Sequence, residues 1–277
     1  MNQSIARICE TGTLPVAVAM LPGKRDRAAV AAATDGLVHL EFCEHAPEAE
    51  DLVMERGAVA LFTRHTDSRG NSTEELIERV RCGLPHLPII VVESTVPTGE
   101  EPFDASETGA SAVLRVRHKR FRPRVEELIR RELHRARRGE MADQLARLVP
   151  YPVRLAVRCA IEHGDRRRAI DDLAASMGIA RKALDRRLRV AAAPSAEQLI
   201  GWGRLLAAAM CFEDPAMSVN AVACELAFPS TCSLRNLLRR YVGIKPSQLR
   251  HNGGANYLLG RMRAALLRGR TIEENAG

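Results

Sequence analysis

The chain has 277 residues, enough for one or two domains that each bury a core, and carries a formal net charge of +7. Seven cysteines, an odd number, are scattered with no C-x-x-C pair and no zinc-type Cys/His spacing, so neither a disulfide framework nor a zinc site is indicated. No apolar run approaches ~20 residues and the first residues are polar, which leaves a membrane span and a signal peptide unsupported and makes the cytoplasm the expected location.

The net charge hides a division. Residues 1–114 hold nine Lys+Arg against eighteen Asp+Glu, residues 115–140 hold eleven against four, and residues 141–277 hold twenty-one against twelve. An acidic first part attached to a basic second part suits a nucleic-acid module carrying a separate domain.

In chain order, the first part alternates strand-like and helix-like runs. Leu14 to Leu21 is a continuous apolar run of strand length, followed by an alanine-rich, helix-prone stretch from Arg25 to Thr34. Val38 to Cys43 alternates, Pro47 to Glu55 suits a helix, and Ala58 to Thr63 is again apolar. Ser72 to Cys82 places Leu76, Ile77 and Val80 on one helical stripe, with Glu74, Glu75 and Glu78 near the start where the helix dipole favours them. Pro88 to Val92 and Ala110 to Val116 read as the fourth and fifth strands, and Val125 to Ala136 as the last helix. The loop from Thr95 to Thr108 holds Pro97, Gly99 and Pro102 and poorly supports a helix of its own. Apolar strands alternating with helices predict a parallel sheet covered on both faces.

Five such units resemble a response-regulator receiver domain, which implies a flavodoxin-like (βα)5 fold. Pro88-Ile89-Ile90-Val91-Val92 and Gly109 to Arg115 look like that family's fourth and fifth strands. The family's chemistry is not carried over. Where a receiver keeps acidic residues after its first strand, this chain reads Met20-Leu21-Pro22-Gly23. Thr63-Arg64 stands at the phosphoacceptor position, Glu93 (with Ser94 next) at the hydroxyl position, and Arg115 at the lysine position. Without that carboxylate cage, magnesium has no hard oxygen ligands, so aspartyl phosphorylation and a metal cofactor are not expected. No glycine-rich phosphate loop marks a small-molecule pocket at the strand ends. Interaction remains, including pairing of two chains through the segment from Glu93 to Arg138.

Arg137-Arg138-Gly139 is expected to end this domain, at about residue 140; Met141 to Leu148 can extend its last helix, and Val149-Pro150-Tyr151-Pro152 punctuates a linker over 141–152. Val153 to Glu162 then offers Val153, Ala156, Val157, Ala160 and Ile161 as a packing stripe. After it comes an internal repeat. Leu173-Ala174, Met177-Gly178-Ile179, Leu184 and Leu188 match Val222-Ala223, Leu226-Ala227-Phe228, Leu234 and Leu238, at an offset of 49 before the turn and 50 after it. Ala196 to Phe212 is a long apolar helix between the copies, with Trp202 as a core residue. In each copy two short helices flank a tight turn, broken in the second by Pro229-Ser230, and the following helix carries polar and basic side chains: the helix-turn-helix pattern. A helical bundle with a solvated basic face would read similarly.

The second copy continues through Arg239-Arg240-Tyr241, Gly243-Ile244, Pro246-Ser247 and Arg250. With Val222-Ala223, Leu226-Ala227-Phe228 and Leu234, this string resembles the C-terminal signature of the AraC/XylS family of transcription regulators. The family usually has glycine where Ala227 stands and aromatics where Leu234 and Leu238 stand. The resemblance covers about residues 150–250 and implies a double helix-turn-helix DNA-binding domain over 153–252, followed by a tail over 253–277. The implied partner is double-stranded DNA, with RNA polymerase as a further candidate.

A reading helix enters the major groove by its N-terminal residues. Arg181 and Lys182 open the first such helix, with Asp185, Arg186 and Arg187 on its exposed side; Asp185 is equally suited to orient an arginine. Ser230, Thr231 and Ser233 open the second, followed by Arg235 and Asn236, which could address guanine and adenine. Arg187, Arg239, Arg240 and Lys245 suit phosphates, which position without specifying. For each of these cations a solvated helix face is the plain alternative. His118, His134 and His163 stand alone, and no nucleophile–base pair or paired carboxylates support an enzyme. The chain therefore reads as a sequence-specific transcription regulator not controlled by phosphorylation; the alternative is an interaction scaffold whose helix-turn-helix units have lost DNA readout.

Overall fold

The computed structural model describes residues 14–94, 109–166 and 169–274, with side chains placed up to residue 267. The polar N-terminus, the loop from Thr95 to Thr108, and Cys9 lie outside the described residues. The chain divides into two compact units, Met1–Ala136 and Arg137–Gly277.

The first unit is built on strands β1 (Val16–Met20), β2 (His39–Cys43), β3 (Leu61–Thr63), β4 (Ile89–Glu93) and β5 (Ala112–Arg115). All pairings are parallel and the spatial order is β2-β1-β3-β4-β5, the flavodoxin-like arrangement that receiver domains share. Helices α1 (Lys24–Thr34), α2 (Ala46–Arg56), α3 (Glu74–Gly83) and α4 (Phe121–Ala146) connect and follow them. Side chains alternate across a strand, so adjacent apolar residues serve opposite faces. Ala17, Ala19, Phe62, Ile90 and Val92 pack with Val30 of α1 and Val125, Leu128 and Ile129 of α4. Val18, Met20, Leu61, Ile89 and Val91 pack with Val53 of α2 and Leu76, Ile77 and Val80 of α3. Burial on both sides explains why these strands read as unbroken apolar runs. Gly57 closes α2 at φ 63°, a left-handed C-cap.

Helix α4 includes most of the extension that Met141 to Leu148 allow. It does not stop at Arg137-Arg138-Gly139 but runs on to Ala146, across the division between the units. The reason is the surroundings of those cations. Arg138 is only 5% exposed, donating to the Glu162 carbonyl at 3.1 Å and to Asp165 at 2.9 Å. Arg137 pairs with Glu213 and donates to Asn256. Tertiary partners override a glycine's weak helix propensity. The stretch expected as a linker, 141–152, is likewise packed, with Met141, Ala142, Leu145 and Val149 in the core of the second unit.

That unit is helical among its described residues: α5 (Tyr151–Glu162), α6 (Ile170–Ser176), α7 (Arg181–Val190), α8 (Ala196–Phe212), α9 (Val219–Glu225), α10 (Thr231–Val242), α11 (Pro246–His251) and α12 (Gly254–Glu274). Helix α8 is the hub, contacted by α5, α6, α7, α9, α10, α11 and α12. Its bounds match the sequence reading, and Leu199, Leu205, Leu206 and Met210 are buried. α5 crosses it at very short range: a Cβ added to Gly203 would lie 1.9 Å from the Ala160 carbonyl oxygen. The segment after residue 252, whose packing the sequence leaves open, forms α12, which buries Ala255, Leu258, Met262 and Leu266.

Candidate nucleic-acid interface

The two copies of the repeat fold alike. In the first, α6 ends into a turn where Gly178 has φ +64°. Gly178 N donates to Ala175 O at 3.0 Å and Ile179 N to Ala174 O at 3.2 Å. In the second, α9 ends into a turn where Ala227 has φ +48°. Ala227 N donates to Cys224 O at 3.0 Å and Phe228 N to Ala223 O at 2.8 Å. Each group matches its counterpart 49 residues away, so both copies make the same left-handed turn. The family that the sequence resembles usually has glycine at this position. The structure places Ala227 in it nonetheless, where a Cβ costs about 1–2 kcal/mol.

What holds Ala227 there is local. Arg204 of α8, 8% exposed, donates from Nη2 to the Leu226 carbonyl at 2.8 Å. Its guanidinium carbon lies 4.0 Å from the centre of the Phe228 ring. A charged donor on a carbonyl and a cation–π contact in a dry setting are each substantial. Sequence reasoning missed Arg204, because a lone arginine inside an apolar helix has no pattern to announce a partner 22 residues on. Trp202, expected as core, is buried and meets Tyr241 edge-on at 5.2 Å between ring centres. Burial pushes the Tyr241 phenol up, opposed by Arg240 and aided by Glu197.

Each turn delivers an amphipathic helix. α7 buries Leu184 and Leu188 and exposes Arg181, Lys182, Arg186 and Arg187, with Asp185 half-buried. Arg189, which the sequence reading left out, is exposed beside them. α10 buries Leu234, Leu238 and Val242 and exposes Arg235, Asn236, Arg239 and Arg240, with Thr231 and Ser233 half-buried. Both pack on α8. Ser230 is exposed, but its hydroxyl caps α10, accepting from Ser233 N at 3.1 Å and lying 3.0 Å from the Ser233 hydroxyl. Lys245 is exposed at the N-cap of α11, with its amide on Gln248 at 2.8 Å. Arg240 lies 3.5 Å from Glu197, a surface pair of little energetic weight. Arg250 bonds the Met217 carbonyl and stacks over Phe212 at 5.4 Å, so it serves packing.

In the first unit, the strand ends are occupied by ion pairs. Asp26, in the first turn of α1 and 2% exposed, accepts from the Ser94 hydroxyl at 2.6 Å and lies 3.7 Å from Arg64. Glu93, 8% exposed, accepts from Arg115 at 3.1 Å and sits 3.2 Å from His65 Nε2. The sequence reading found no carboxylate just after β1; Asp26 enters from the helix instead, too far along the chain for the motif to show it. Among the described residues no group of three or more His, Cys, Asp or Glu is placed to hold a metal. The cysteines are split. Cys43 and Cys211 are buried, and burial, with Glu48 and Glu225 adding, pushes their thiols up to about 12 and about 11. Cys82, Cys224 and Cys232 are exposed.

No protein-family model matches the chain, and no curated protein does. Among solved structures, the response regulator StyR, described at low resolution, aligns over 68% of this chain and 97% of its own, with 18% identity and a TM-score of 0.37. No helix among the described residues is long and apolar enough to cross a membrane.

Proposed function

We propose that the chain is a sequence-specific DNA-binding transcription regulator of the AraC/XylS type. In this reading α6–α7 and α9–α10 are two helix-turn-helix units, and α7 and α10 are the reading helices. The observation that carries it is the duplicated left-handed turn, at Gly178 and Ala227, each followed by a helix with a buried leucine stripe and a basic outer face. Arg181 and Lys182 of α7, and Thr231, Ser233, Arg235 and Asn236 of α10, sit where base edges are read. Arg187, Arg239, Arg240 and Lys245 are the phosphate partners. Ser230 acts through the α10 cap rather than by its own contact. Arg64 at the phosphoacceptor position, held near Asp26, supports a first unit that works without aspartyl phosphorylation.

The test is a binding competition among genomic fragments with a salt titration. A subset of fragments is expected to bind at least ~1,000-fold tighter than bulk DNA. The log–log salt slope should amount to about −0.9 per neutralised phosphate. Binding with the same salt slope but no fragment preference would overturn the regulator reading. So would unchanged regulation of reporter genes by an Arg181→Ala, Arg235→Ala double variant, which would point to a scaffold.

A further inference from the structure

A cavity of about 430 Å³ opens in the first unit where β4 and β5 end and α4 begins, independent of the DNA-binding reading. Its apolar part is Val113, Leu114 and Phe121; its polar part is Arg115, His118, Arg120 and Arg124, with Glu93 as the one carboxylate. Glu93 is already bound by Arg115 and His65, so it offers the interior little free negative charge. Arg115 uses only Nε on Glu93, and among the described residues neither of its terminal nitrogens makes a further hydrogen bond. Arg120 makes no side-chain hydrogen bond or ion pair among the described residues, and Arg124 holds Glu127 by one nitrogen. The backbone from Arg115 to Val125 carries no acidic residue, and the positive end of the 26-residue α4 faces the same region.

Such a hollow is matched to one ligand chemistry. Forked guanidinium donors bind doubly charged tetrahedral oxyanions in two-point fashion, and the apolar floor excludes a bare hydrated ion in favour of one with a hydrophobic body. We propose that this cavity is an effector site for a small phosphate monoester with an apolar or aromatic body. The phosphate lies among Arg115, Arg120 and Arg124, and the body lies against Leu114 and Phe121, which pack on the same face of the sheet.

Phenyl phosphate serves as the probe, with inorganic phosphate and phenol as its two halves. Calorimetric titration of the full chain is expected to give saturable binding of phenyl phosphate, with inorganic phosphate at least tenfold weaker and phenol without saturation. An Arg120→Ala, Arg124→Ala double variant, altered only at exposed side chains, should lose ~10-fold or more in affinity. Arg181→Ala with Arg235→Ala should leave it unchanged, which separates this site from the DNA surface. Amide NMR shifts of the unaltered protein should move at residues 113–124 and serve where a variant folds poorly. Absent saturation by phenyl phosphate, affinity retained in the Arg120, Arg124 variant, or shifts confined to residues 181–187 and 230–240 would each overturn the site.

Discussion

The two copies of the repeat reach the same backbone path by different means. The first uses Gly178, which adopts φ +64° at no steric cost, and enters α7 from Ala180, whose side chain makes no cap bond. The second puts Ala227 at φ +48° and surrounds it with supports: Arg204 on the Leu226 carbonyl and Phe228 ring, and Ser230 capping α10. A turn is thus not encoded at one position. Its cost is either avoided by the residue in the turn or offset by contacts around it.

The comparison can be broken at its shared support. Gly203→Ala drives a methyl into the Ala160 carbonyl oxygen and should separate α5 from α8, which both copies pack against. A loss of about 3 kcal/mol in denaturant unfolding is expected, and a variant as stable as the parent would show that the crossing is not tight. Next in size is Arg204→Met, which keeps the apolar stem and leaves the Leu226 carbonyl without its donor. About 2 kcal/mol should be lost, with faster hydrogen exchange in α10 and none in α7. Equal loosening of both helices would mean the arginine supports the whole unit rather than one copy.

Smaller and of opposite sign are the turn exchanges. Gly178→Ala should cost about 1 kcal/mol, while Ala227→Gly should stabilise by up to about 1 kcal/mol as relieved strain exceeds the added freedom of the unfolded chain. Destabilisation by Ala227→Gly would show that the supports leave no strain to release. The finest distinction concerns DNA. Arg187→Ala and Arg239→Ala, one from each copy, should each reduce the salt slope by about 0.9. A change in only one of them would mean that a single copy meets the duplex.

Much of this was legible beforehand, for physical reasons. Strands buried on both faces must be apolar throughout, so β1 and β4 were plain, as was α8 with its leucines. The leucine stripes of α7 and α10 fixed which cations face outward. What escaped was held by single long-range contacts. Arg138 looked like part of a terminal basic run, yet it is buried against Glu162 and Asp165, and this keeps α4 helical through Gly139. Asp26 stands in no motif, yet it accepts from Ser94, 68 residues away. Charge pattern along a chain gives no signal for such pairs.

The crossing at Gly203 also bears on how this chain could drift over generations. On the proposed DNA-binding reading, exchange of the solvent-facing arginines of α7 and α10 should leave the fold intact and let binding preference diverge. Gly203, with a neighbouring main chain closer than any methyl group allows, has no permissible replacement unless α5 itself shifts. Descendants of this protein should therefore vary fastest where they meet other molecules and stay fixed at a residue that touches none of them.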